Sequence, residues 1–91
     1  MSPLALPASV TFADVQAAAQ GLATAPASAG PWRVDATALR NFDSAAIALL
    51  LDLRRRALAA GATMSVQGAP ATMVDLATLY GVADLLIFEP A

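Results

Sequence analysis

Asp43 and Ser44 stand directly before the apolar run Ala45 to Leu51, and together they are the chain's best candidates for chemistry. A carboxylate just ahead of a helix can accept the free amides of the first turn, which makes Asp43 the N-cap. Ser44 then falls at the first helical position, near the exposed end of a strand–loop–helix unit. Read from position alone, it is a helix-start residue. About three turns on, Arg54-Arg55-Arg56 complements the negative end of the helix dipole in water, or meets a phosphate or headgroup. No two carboxylates have a spacing that argues for acid–base catalysis.

Composition removes most other chemistry. The 91 residues include no Cys and no His. Disulfides and thiolate metal sites are therefore excluded, and the commonest metal ligand and general base is missing. A Ser-His-Asp or Cys-His enzyme cannot be built within this chain, and all five basic residues are Arg. A net charge of −2 and a pI near 4.5 argue against nucleic acid, whose binders carry basic patches. With 58% hydrophobic and 13% charged residues, the chain is not disordered; its length supports one small core. The longest uninterrupted apolar run is seven residues, where a membrane-spanning helix needs about 20. The first ten residues carry no basic side chain but two prolines, so they do not read as a signal peptide. The expectation is a single cytoplasmic domain over residues 1–91 that works by binding, with no cofactor, no metal and no direct membrane insertion.

The elements that must position Asp43 and Ser44 follow from periodicity. Leu4-Ala5-Leu6-Pro7 reads as a brief edge strand, where proline is tolerated. Thr11 and Asp14 form a weak capping-box pattern. Phe12, Val15, Ala19 and Leu22 then share one helical stripe, predicting a helix to about Ala23. Ala25 to Pro31 is a loop by composition. Trp32 to Ala36 and Ala62 to Gln67 alternate apolar and polar, as strands covered on one face do. Between them runs the strongest helix, Ser44 to about Ala60, ended by Gly61. Pro70 is suited to the first turn of a third helix. Its apolar stripe is Met73, Leu76, Ala77 and Tyr80, and Gly81 stops it. Leu85 to Phe88 is strand or helix; its periodicity does not decide. Strand–helix alternation at this length implies an α/β domain with parallel pairing.

With those elements in place, the chain resembles the STAS domains (sulphate transporter and anti-sigma factor antagonist). Their pattern is a strand, a short loop, Asp-Ser or Asp-Thr, a small residue with glycine, then an apolar helix; here it is Asp43-Ser44-Ala45-Ala46-Ile47. Leu6-Pro7-Ala8-Ser9-Val10-Thr11-Phe12, Phe42-Asp43-Ser44-Ala45 with Leu49-Leu50-Leu51, and Leu79-Tyr80-Gly81-Val82 are similar to the small STAS subunits of bacterial Mla (maintenance of lipid asymmetry) phospholipid transporters. Ala46 departs from the pattern, replacing the expected glycine and putting tight backbone approach there in doubt. The resemblance implies a two-layer fold, with a small mostly parallel (mixed) sheet and helices packed on one face. It also implies a non-catalytic accessory subunit, peripheral to the inner membrane, that docks on the ATP-binding subunit of the ABC transporter. The other function it implies is an anti-sigma factor antagonist, whose Ser44 is phosphorylated by a partner serine kinase. Such a phosphate would add about −1.5 to −2 charge beside Asp43 and expel a partner docked flat on the helix.

A helical wheel at about 100° per residue divides the Ser44 helix in two. Ala46, Ile47, Leu49, Leu50, Leu53, Ala57 and Leu58 span the core arc. Ser44, Ala45, Ala48, Asp52, Arg55, Arg56 and Ala59 face away, with Leu51 at the edge. The outer face starts small and flat and becomes charged. Small residues permit close approach, and Arg is enriched at interfaces. The expected partner-binding residues are therefore Ser44, Ala45, Ala48, Leu51, Asp52 and Arg55, joined through the family motif by Tyr80, which otherwise only packs at its helix end. Trp32 is read as a packing residue and Asp35 as a structural polar residue.

Overall fold

Period-2 burial sets the centre of the sheet. In the computed structural model, which describes residues 4–22 and 31–90, the elements in chain order are β1 (Leu4–Ala5), β2 (Ser9–Val10), α1 (Val15–Leu22), β3 (Trp32–Asp35), β4 (Asn41–Phe42), α2 (Ser44–Ala59), β5 (Met64–Gln67), α3 (Ala71–Leu79), α4 (Ala83–Leu86) and β6 (Phe88–Glu89). Trp32, Val34, Met64 and Val66 are buried, while Arg33 is exposed and Asp35, Ser65 and Gln67 are half-buried. One face of the sheet is thus covered, as the alternation predicts, and Trp32 is a packing residue. The strand order is β1-β3-β5-β6, with Trp32 opposite Met64 and Val34 opposite Val66. Every pairing among the described residues is parallel, in keeping with the mostly parallel sheet expected above. The reason is connectivity. Successive strands of this sheet are joined through helices, and such a crossover returns the chain to the end where it started.

Two-residue strands β2 and β4 form a separate parallel pair, Ser9 with Asn41 and Val10 with Phe42. Ala8 O reinforces it by accepting from the amides of Arg40 and Asn41 at 2.8 and 2.9 Å. Nothing in the sequence announced this pair, since two residues carry no period.

The helices bury the faces that spacing assigned them, with four corrections. α2 buries Ala46, Ile47, Leu49, Leu50, Leu53 and Ala57, but Leu58, at the margin of the apolar arc, is 53% exposed. Gly61 ends the helix at φ 74°, where a side chain would be strained, and Ala62 N–H closes back on Ala57 O at 2.8 Å. α1 begins at Val15 rather than at Phe12, and Phe12 lies outside the core at 86% exposure; its predicted end at Ala23 and most of the 25–31 loop fall outside the described residues. Pro70 precedes α3 as its N-cap instead of occupying the first turn. Met73 and Ala77 are buried in α3 and Leu76 is half-buried, whereas Tyr80, past the last turn, is 51% exposed. The undecided Leu85–Phe88 segment is both structures in turn: α4 runs to Leu86, Ile87 turns left-handed at φ 54°, and β6 follows. The core holds no buried polar or charged residue among the described residues.

Candidate docking surface

Asp43 organises the start of α2. Its Oδ1 accepts from Ala45 N–H at 2.8 Å, the N-cap bond expected of it. Its Oδ2 accepts from Phe12 N–H at 3.0 Å, so one carboxylate holds two chain segments together. With capping done by Asp43, the exposed Ser44 side chain has no hydrogen bond to another described residue.

The turn before α1 is fixed independently. Asp14 accepts from Thr11 N–H and Thr11 Oγ1 and, at 2.6 Å, from Ser9 Oγ. The return bond from Thr11 N–H to Asp14 is the reciprocal half of a capping box. Hydrogen bonds from the Ser9 hydroxyl first, then from Thr11, hold the Asp14 carboxyl below its ordinary 3.8. On the sheet, the Thr37 hydroxyl and then the Thr37 amide lower Asp35 in the same way, so Asp35 is the structural polar residue expected. A carboxyl lowered on folding contributes stability above its unfolded value and loses it as pH falls through the folded value. The melting temperature should therefore fall on acidification below about pH 3.8. Asp14→Asn should flatten that fall in a melting series from pH 6 to 2.5, and an unchanged slope would show that Asp14 is not linked to folding.

On the outer face of α2, Ser44 and Ala48 are exposed, Ala45 and Leu51 are half-buried, and Asp52 pairs with Arg55 at 3.0 Å and Arg56 at 2.9 Å. Such exposed pairs on a helix are each worth a few tenths of a kcal/mol. They fix the direction of charge more than they stabilise the fold. The surface is flat at Ser44 and Ala48 and charged about two turns later. Arg54 points elsewhere: with Leu58, Asp84, Leu85 and Ile87 it lines a cavity of about 130 Å³, where α4 packs on α2.

The structure brings six of the seven expected contact residues onto one helix and separates the seventh. α2 spans 16 residues, about 24 Å, and starts at the end where β3 finishes. Tyr80 follows the last turn of α3 and leads into α4, beside the C-terminal half of α2. It therefore lies at the opposite end of the helix layer from Ser44. The residue that sequence reasoning missed is Phe12. Its place beside Asp43 depends on a hydrogen bond across 31 positions, for which the sequence carries no signal. Among the described residues there is no group of three or more potential His, Cys, Asp or Glu metal ligands, and no helix is long and apolar enough to cross a membrane.

A parallel sheet covered on one face, with an Asp-capped helix presenting a serine and small residues outward, defines a small α/β domain with a candidate docking helix. A family model described as "Mlab, STAS domain" matches residues 2–87. The chain belongs to the STAS domain family, and the match takes in every element up to the end of α4. Domains of this family generally have a regulatory or accessory role and are non-catalytic. No curated protein and no solved structure matches the chain.

Proposed function

We propose that this STAS domain is a non-catalytic accessory subunit that docks, through the outer face of α2, on the ATP-binding subunit of an ABC-type phospholipid transporter. The observation that carries the reading is the start of α2. Ser44 and Ala48 lie exposed on a helix end that Asp43 fixes in place, in the segment that resembles the Mla subunits. The description of the matching family supports the same choice. Docking needs no reacting group: small side chains let a partner backbone approach, and the Asp52–Arg55–Arg56 cluster sets orientation at the rim. In this role the domain sits in the cytoplasm, held at the inner membrane through its partner, and supports assembly and activity of the ATPase without touching nucleotide or lipid.

The test is co-purification. The tagged chain, co-expressed with the ATP-binding subunit of the phospholipid transporter from the same genome, should elute with it as one complex and raise its ATPase rate. The chain alone should hydrolyse nothing. Separate elution at micromolar concentrations, or ATP turnover by the lone chain that disappears on mutating it, overturns the reading.

One observation favours a second reading. The Ser44 hydroxyl is exposed and takes no part in the cap, so a serine kinase could reach it, as in an anti-sigma factor antagonist. A phosphate there would bring about −1.5 to −2 charge to a face whose flatness is its means of docking.

A further inference from the structure

We infer that Phe12 is the aromatic anchor of the α2 docking surface, and that it enters an apolar recess of the protein partner rimmed by basic side chains. This inference rests on the docking reading above and adds a residue from outside the helix. Phe12 is the most exposed large hydrophobic side chain among the described residues, at 86%, although it lies where the helical stripe would have buried it. It is held in that position. Asp14 ties the turn to Ser9 and Thr11, Asp14 N–H bonds Thr11 O at 3.0 Å, and Phe12 N–H bonds Asp43 Oδ2 at 3.0 Å. An aromatic ring on a preorganised turn loses little entropy on binding, and buried aromatics are the commonest interface anchors. The bond to Asp43 places this turn against the residue that precedes Ser44, so the residue that carries the exposed ring adjoins the start of the helix.

Charge decides among occupants. Both charged groups bonded to this turn, Asp14 and Asp43, are carboxylates. An anionic bilayer attracts basic segments and repels these. In a second copy the cations of the α2 face, Arg55 and Arg56, are already paired with Asp52 and leave little to meet these carboxylates. A protein with an apolar recess and Lys or Arg around it meets both the ring and the charges.

The experiment measures affinity for the purified ATP-binding subunit of the same genome's phospholipid transporter, with wild type, Phe12→Ala and Ala48→Glu, alongside thermal melts. Phe12→Ala should weaken binding by about thirtyfold with an unchanged melting temperature, and wild-type affinity should fall as salt rises. Wild-type binding by Phe12→Ala, with Ala48→Glu released, overturns the anchor and leaves the docking reading standing. Failure of the wild type itself to bind removes the docking reading, and the anchor with it. A loss of melting temperature in Phe12→Ala that matches its loss of binding makes Phe12 structural and overturns the proposal. So does phenylalanine-dependent binding to phosphatidylglycerol vesicles, or a homodimer that Phe12→Ala dissolves.

Discussion

Ala48→Glu and Arg55→Glu should each release the proposed ATP-binding partner while leaving the melting temperature within about 4 °C of wild type. Both residues are exposed on the outer face of α2, where substitutions usually move stability by about 0.5 kcal/mol or less. For a domain of this size that is a shift of about 2–4 °C. Arg55→Glu adds the loss of its surface pair with Asp52 and a like charge three residues from it, each worth a few tenths of a kcal/mol. Binding responds on another scale. A glutamate at Ala48 places a charge and extra volume on the flattest part of the face, and disturbing a central interface residue costs 2 kcal/mol or more, about thirtyfold in affinity. Affinity and thermal melts on the same samples check the separation. Retained binding by both variants would move the interface off this face.

Leu50→Ala should do the reverse. Leu50 sits on the same helix, fully buried, in a core with Val34, Leu53, Val66 and Met73. Removing its branched end forfeits transfer energy and leaves a cavity, together about 2–5 kcal/mol. A 91-residue chain has about 5–14 kcal/mol to lose, so the melting temperature should drop by at least about 8 °C. At a temperature where the variant remains folded, partner affinity should stay near that of wild type. If Leu50→Ala melted like wild type, the assignment of inner and outer faces would be wrong.

Periodicity carried most of the fold, because the relevant forces are local. β3 and β5 could be read from alternation, and α2 from its Asp43 cap, its apolar arc and Gly61. The misplaced features depend on tertiary contacts or on end effects. Phe12 has helical spacing to Val15 and Ala19, but bonds to Asp14 and Asp43 hold its turn outside the core. Leu58 stands at the margin of the apolar arc of α2, one residue past the fully buried Ala57, and is left half outside the core. Tyr80 follows its stripe past the last turn of α3. At Ile87 the chain changes from helix to strand through a left-handed residue without the glycine that usually marks such a change. The outer face of α2 could be read as a face, whereas the bond that brings the Phe12 turn to Asp43 required coordinates.

The all-parallel pairing also sets an order for folding. Parallel neighbours cannot close through a tight turn, so no ladder in this sheet can form as a hairpin and each must wait for a crossover to order. The entropy of loop closure is then spent before contacts offset it, which slows chains of this topology. β3 and β5 share the longest register among the described residues, four residues, and the helix between them is the longest there. That unit is where the nucleus should gather. β1 and β6, two residues each at the outer edges, are too short to template a foreign strand and can only condense onto a centre already formed.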